Sequence, residues 1–165
     1  MHCYHDVSTS EMKNPFNILI ILGLITSCST NSTTKLDSDD YENKKDRIDK
    51  LEMEIKAFSD FQDAEFELFN VNGFHDQRIA VPGTSSWDYK FVIKVDTIDI
   101  PKWISGMKEV ELTGYDDSWT KEITKDRNQN WKTSSKPKYF VRNEEDMTMI
   151  VFGNEGIIFK RVINL

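Results

Sequence analysis

The stretch WDYKFVIKV, Trp87–Val95, decides the fold class, because large apolar side chains alternate in it with mainly charged ones. Aromatic and branched residues occupy every second position, and charged residues fill three of the four positions between them. Successive side chains of a strand point to opposite faces, so this period of two predicts a strand with one covered face and one face toward water. Antiparallel sheets commonly have this pattern.

Three further strands are predicted toward the C-terminus: Lys138–Arg142, Met147–Phe152 and residues 157–163. Residues 143–146 and 153–156 are rich in Asn, Gly and acidic side chains, which favour tight turns. The three strands therefore form a meander. Apolar residues lie on both faces of the last two strands, which indicates a central position in the sheet.

A fifth strand is predicted before Trp87, where Ala64, Phe66 and Leu68 alternate with Glu65 and Glu67.

A long helix is predicted over residues 41–61, because apolar residues recur there at spacings of three and four: Ile48, Leu51, Ile55 and Phe58. Asp39 or Asp40 is the expected N-cap.

Two short helices are predicted between the strands. Asp99 with Pro101 marks the start of the first. Asp116 or Asp117 starts the second, in which Trp119 and Ile123 meet on one face. The predicted fold is therefore α+β: an N-terminal helix and a mostly antiparallel sheet of about five strands, with two short helices inserted and helices covering one face.

The N-terminal stretch ILIILGLITSC, residues 18–28, carries a different signal. The apolar run of residues 16–25 is shorter than the roughly 20 residues that span a bilayer. It follows Lys13 and precedes the small residues Thr26 and Ser27, as in a signal peptide. The four residues that end in cysteine, Ile25-Thr26-Ser27-Cys28, resemble the lipobox of bacterial lipoproteins. The alternative is a buried strand or short helix that happens to end in a cysteine.

The resemblance implies a definite organisation of the chain. Residues 1–27 are a signal peptide, whose true start we place at Met12 because Met12-Lys13-Asn14 is a normal leader start. Cys28 is lipidated and becomes the N-terminus. The polar residues 28–40 form a flexible tether, and residues 41–165 form a single α+β domain. The expected location is the bacterial cell envelope, with the lipid in a membrane, the outer one if the cell has one.

Composition excludes several classes of function. The formal net charge is −7, which disfavours nucleic acid as a partner. With the leader removed, the chain keeps no free thiol and one histidine, His75, so a Cys/His zinc site cannot form. Pairing of His75 with a serine nucleophile lacks the usual Gly-x-Ser-x-Gly elbow. We predict no catalytic residue, no cofactor and no metal.

The remaining candidates for a site are the tryptophans. We expect Trp87, Trp103 and Trp119 to pack in the core. Trp131 has only polar neighbours in sequence, and we predict that it is exposed and contacts a partner, such as another envelope or secreted protein.

The predicted function is thus a non-enzymatic binding module, anchored to a membrane by lipid. One alternative is a hydrolase of envelope glycans, which would need two carboxylates about 5–9 Å apart. Its candidate acids are Asp88, Asp96, Asp99, Asp116 and Asp117. The other alternative is a structural spacer.

Overall fold

A single antiparallel sheet organises the molecule. The computed structural model describes residues 33–74, 85–111, 116–142 and 146–164, all of which lie in one compact unit, Ser32–Leu165. The strands are β1 (Thr33–Asp37), β2 (Phe61–Phe74), β3 (Trp87–Val95), β4 (Lys108–Val110), β5 (Lys138–Arg142), β6 (Met147–Phe152) and β7 (Ile157–Asn164). Their order is β1-β2-β3-β7-β6-β5-β4, and every described neighbouring pair is antiparallel.

The mostly antiparallel sheet is confirmed, but its predicted size of about five strands is wrong, because the sheet has seven. The two additional strands, β1 and β4, are its edges. β1 lies inside residues 28–40, which the sequence presents as a tether, and it precedes the helix that was expected to come first. A strand with so little apolar content is held by pairing with β2 and by the single buried side chain of Leu36.

The long helix is shorter than predicted. It spans Lys44–Glu54 (α1), and its N-cap is Asn43, whose side-chain oxygen accepts the backbone N–H of Asp46 at 2.9 Å, instead of Asp39 or Asp40. Leu51, a residue of α1, is fully buried. Ile55 and Phe58 lie after the helix, in non-helical backbone, and still pack against the core. The apolar residues at helical spacing therefore extend beyond the end of the helix.

Both short helices are present at the predicted places, as α2 (Ile100–Trp103) and α3 (Ser118–Glu122). Each is about one turn long. Three short 3₁₀ helices accompany them, at Ser38–Asp40, Thr97–Asp99 and Asn128–Trp131.

The sheet is covered on both faces, whereas the sequence predicted cover on one. The first face carries the larger core, which α1 and α2 join. On the second face, α3 and the 3₁₀ helix Asn128–Trp131 pack a smaller cluster onto Val92, Ile150 and Phe159. Glu65 points to this second face and is only 1% exposed. Two arginines make that burial possible: Arg127 and Arg47 approach its carboxylate to 2.6 and 3.5 Å.

The turn between β6 and β7 is hydrogen-bonded to the loop before β5 through Glu155. The Glu155 carboxylate accepts hydrogen bonds from the backbone N–H and the hydroxyl of both Ser134 and Ser135. These donors, the Ser135 hydroxyl first among them, lower the pKa of Glu155 from 4.5 to about 2. The carboxylate therefore joins the two loops by hydrogen bonds that depend on pH.

Acid is expected to remove the stabilisation from these hydrogen bonds over a defined pH range. Since the pKa of Glu155 is lower in the folded chain than in the unfolded one, its contribution to stability is complete above pH 4.5 and is lost as the pH falls toward about 2. Glu155→Gln has no such carboxylate to protonate. Urea unfolding of both proteins between pH 6 and pH 2 should show the stability difference between them shrinking on acidification, and a constant difference would contradict the assignment.

Candidate functional site

A concave cavity of about 480 Å³ opens on the first face of the sheet, at the end of α1. Its floor consists of two neighbouring rows of side chains. Tyr89, Val162, Met147 and Arg142 stand in register across β3, β7, β6 and β5. Phe91 and Lys160 stand beside each other in the next row. We call this site the aromatic cavity; its lining residues are Glu54, Ile55, Lys56, Phe58, Tyr89, Phe91, Trp103, Arg142, Met147, Lys160 and Val162.

The walls are fixed by aromatic packing. Phe58, in the connection between α1 and β2, meets Trp103 of α2 edge to face, with ring centroids 5.3 Å apart. The Trp103 indole N–H donates to the hydroxyl of Ser59 at 2.8 Å, so this almost fully buried ring has a satisfied polar atom. The connection and α2 are thereby tied together on one side of the cavity.

Lys160 is the unusual residue of the floor, because it is only 8% exposed. Its Nζ lies 5.6 Å from the ring centroid of Phe58 and 5.9 Å from that of Phe91, within the range of cation–π attraction. Lys56 Nζ lies 5.5 Å from the same Phe58 ring. Phe58 is therefore flanked by two ammonium groups.

Charged side chains also line the cavity. Among its described lining residues are the cations Lys56, Arg142 and Lys160 and the acid Glu54, whose carboxylate pairs with Lys50 at 2.9 Å.

Tyr89 contributes a neutral hydroxyl. Burial is the main reason that the pKa of its phenol is raised, and the hydroxyl accepts a hydrogen bond from the Asn70 amide at 3.2 Å. The ring stays uncharged at neutral pH and offers the cavity both an apolar face and a polar group.

A second cavity, of about 440 Å³, lies at the edge formed by β4 and β5. Among its described lining residues, the charged ones are two acids, Glu109 and Glu111, and two lysines, Lys136 and Lys138. Lys138 pairs with Glu109 at 3.2 Å, and both are largely exposed. A charge-balanced, wet rim of this kind favours a specific ligand less than the aromatic cavity does.

Trp131, the predicted partner contact, is buried: only 5% of it is exposed. This contradicts the exposure on which the prediction rested. The polar residues around it in sequence belong to a 3₁₀ helix that places the ring in the cluster on the second face, with Ile157 and Phe159. Among the described residues, the indole N–H groups of Trp131 and Trp119 both lack a hydrogen-bond partner.

The other tryptophans follow the prediction more closely. Trp103 and Trp119 are buried as expected, and Trp87 is half-buried at the start of β3. Only Trp103 lines the aromatic cavity.

The five candidate acids for glycan hydrolysis each serve local structure. Asp88 binds Arg161 through two bonds of 2.9 and 2.8 Å. Asp99 pairs with Lys102, and Asp96 accepts the backbone N–H of Ile98. Hydrogen bonds from the Ser118 side chain, and then from the Ser118 backbone N–H, lower the pKa of the Asp116 carboxyl. Asp117 precedes α3. None of the five lines either cavity described above.

Two residues singled out from sequence, Cys28 and His75, lie outside the described residues. Within the described ranges, no group of three or more His, Cys, Asp or Glu side chains could hold a metal ion. The helices in the same ranges are all too short or too polar to cross a membrane.

Sequence reasoning missed the residues that give the aromatic cavity its character. Lys160 did leave a signal: it sits between Ile158 and Val162 at a spacing of two, so it shares their covered face. Phe58 was predicted as part of the apolar stripe of the helix, but not as the wall of a cavity. Arg142 and Lys56 left no signal, because only the tertiary fold brings their segments beside the cavity.

No protein-family model matches the chain, and no curated protein or solved structure is significantly similar to it.

Proposed function

We propose that this chain is a lipid-anchored protein of the bacterial cell envelope whose folded domain binds a small ligand in the aromatic cavity. The anchor rests on the lipobox-like residues 25–28 that follow an apolar run and a lysine. Labelled palmitate should enter the wild-type protein and be absent from Cys28→Ala. Equal labelling of the wild type and Cys28→Ala would contradict the lipid anchor at Cys28.

The cavity itself carries the binding part of the proposal. Small-molecule sites are concave, about 300–1,000 Å³ in volume and lined mainly by apolar and aromatic side chains with a few polar groups. The aromatic cavity has this size and lining. Its aromatic side chains are held by neighbouring packing, so little ordering entropy opposes binding.

Filling the cavity is expected to abolish binding. Val162 stands on the floor and is half-buried, so Val162→Trp would place an indole where a ligand would lie. Phenylnaphthylamine, an uncharged dye that fluoresces in apolar sites, should bind wild type and lose at least about tenfold in affinity with Val162→Trp, because an overfilled site loses its contact area.

Ile163→Trp is the matched control. Ile163 is the next residue of β7 and is also half-buried, but it points to the other face of the sheet. Thermal unfolding of all three proteins establishes that each is folded. If both variants bound the dye as wild type does, the cavity would not be a binding site, and the structural spacer would become the favoured function.

A further inference from the structure

The place where β1 begins limits how far the sheet can lie from the proposed lipid anchor. β1 begins at Thr33, so 33 − 28 = 5 residues of chain connect it to Cys28. Because an extended chain advances at most about 3.6 Å per residue, Thr33 lies within about 18 Å of that cysteine. In the lipidated protein, the end of the sheet at which β1 begins is therefore held near the membrane.

The aromatic cavity lies at this same end of the sheet. Leu36 on β1 pairs with Leu68 on β2, and Leu68 pairs with Tyr89 on β3. Tyr89 is the first residue of the floor row that continues across β7, β6 and β5. It is two residues from Trp87, where β3 begins, and the same row includes Met147, where β6 begins.

Aromatic side chains continue from the beginning of β1 to the cavity. Thr33 pairs with Phe74, the last residue of β2, and the rings of Phe74 and Tyr89 have centroids 6.0 Å apart. At the same end of the sheet, Trp87 is half-buried and Val71 is 44% exposed. Tryptophan and tyrosine favour the boundary between a membrane and water, because each has an apolar body and a polar group. This end of the sheet therefore suits contact with a bilayer.

The lining of the cavity suits a hydrocarbon chain. Seven of its eleven described lining residues are aliphatic, aromatic or methionine side chains, from which an apolar ligand would displace water. Met147 is unbranched and adapts to irregular apolar shapes. The Trp103 indole N–H already donates to Ser59, so this wall needs no polar group from a ligand.

We infer that the short connection to Cys28 presents the aromatic cavity to the membrane, and that the cavity takes up one acyl chain of a membrane lipid. The chain passes Phe74 and Tyr89 and lies on Phe58 and Phe91. The inference rests on the proposed function, because it needs both the anchor and binding in the cavity. It adds the chemical class of the ligand and its source.

A photoreactive lipid tests the uptake of an acyl chain. Wild type is inserted through its own anchor into phosphatidylcholine vesicles that include phosphatidylcholine with a diazirine at the end of one acyl chain. In the bilayer this group lies about 15 Å inside the hydrocarbon region, so a label on the cavity floor requires that the chain has left the bilayer. After illumination, peptide mapping should find the label on Tyr89 and Met147. This map of the wild type is sufficient to test the ligand class.

Two variants of β7 give the matched comparison. Val162→Trp fills the floor and should lower the label on Tyr89 and Met147 by at least about tenfold, because the chain loses its contact area. Ile163→Trp lies on the other face of the sheet and should leave the label unchanged.

A longer connection tests whether the nearby membrane supplies the chain. Insertion of about 20 glycine and serine residues after Cys28 keeps the anchor and the cavity, and it extends the connection about fivefold. Effective concentration falls roughly as the −3/2 power of linker length, so the label should fall about tenfold. Palmitate labelling checks that the variant is still lipidated. Equal label in this variant and in wild type would overturn the presentation of the cavity by the short connection.

The outcomes distinguish this inference from the function on which it rests. If Val162→Trp blocks phenylnaphthylamine but no acyl label reaches Tyr89 or Met147 in wild type, the ligand class is overturned and the binding function stands. Label on Phe74 or Trp87 alone would place the lipid at the end of the sheet and would also overturn uptake by the cavity. If Val162→Trp blocks neither the dye nor the acyl label, both the inference and the binding function fail.

Discussion

Replacing Glu65 with glutamine is expected to lower the free energy of unfolding by about 3–5 kcal/mol, the cost of removing one partner from a buried ion pair. Glu65 is 1% exposed, and Arg127 holds its carboxylate by two bonds, each 2.6 Å long. Glutamine has nearly the same volume, so the substitution changes charge and hydrogen bonding with little change in packing.

Arg47 makes the loss larger than that of a single pair. It is 3% exposed, its Nε lies 3.5 Å from the Glu65 carboxylate, and it also binds the backbone oxygen of Ala64 and the carboxylate of Asp63. Glu65 is the main reason that the pKa of Arg127 is raised. Without the Glu65 charge, a buried guanidinium and a half-buried one would share the remaining acids.

Glu67→Gln provides the comparison for this prediction. Glu67 is two residues further along β2 on the same face, but its side chain is 25% exposed and its lysine partners are 3.4 and 3.7 Å away. Pairs near the surface contribute about 0–1 kcal/mol. Urea unfolding of the two variants measures both effects, and a loss for Glu65→Gln no greater than that for Glu67→Gln would show that the network does not stabilise the fold.

Gly156→Ala is expected to cost about 2–5 kcal/mol, because strain and a steric clash add. Gly156 has a φ of +67°, and a Cβ at this position would lie 2.2 Å from the backbone oxygen of Val95. The same two residues are joined by a 2.8 Å hydrogen bond from the Val95 N–H to the Gly156 oxygen. Neither strand end can move away without breaking that bond.

Gly153→Ala tests whether the effect belongs to this one position. Gly153 lies in the same turn between β6 and β7, and a Cβ there would meet nothing within 4 Å. Its substitution should change stability by less than about 0.5 kcal/mol. Comparable unfolding midpoints for the two alanine variants would mean that the close approach of Gly156 to Val95 is absent in solution.

The predicted elements that survive in the structure are those with strong local signals. Trp87–Val95 has the predicted bounds, as do Lys138–Arg142 and Met147–Phe152, because alternating side chains and flanking turn residues fix a strand within its own segment. The elements that were not predicted lack such local signals. Thr33–Asp37 is polar and is ordered by the edge of β2, which no local pattern in its five residues describes.

The candidate site was less predictable than the fold. Trp131 looked exposed because its neighbours in sequence are polar, whereas its neighbours in space are Ile157 and Phe159. Glu65 alternates with apolar residues along the chain, and the two arginines that pair with it in its buried position come from distant segments. In both cases burial depends on which segments the fold brings together.

By itself, the sequence determined the central strands and the places of the three helices, because each depends on side-chain pattern within about ten to twenty residues. The lipobox-like leader stays a prediction from a local pattern of the same kind. The tertiary structure alone decided that the sheet has seven strands, that both faces are covered, and that Lys160 meets Phe58 and Phe91 in one cavity. The reason is physical: periodicity records which side of an element is apolar, while cavities and buried charges arise only where distant segments pack against each other.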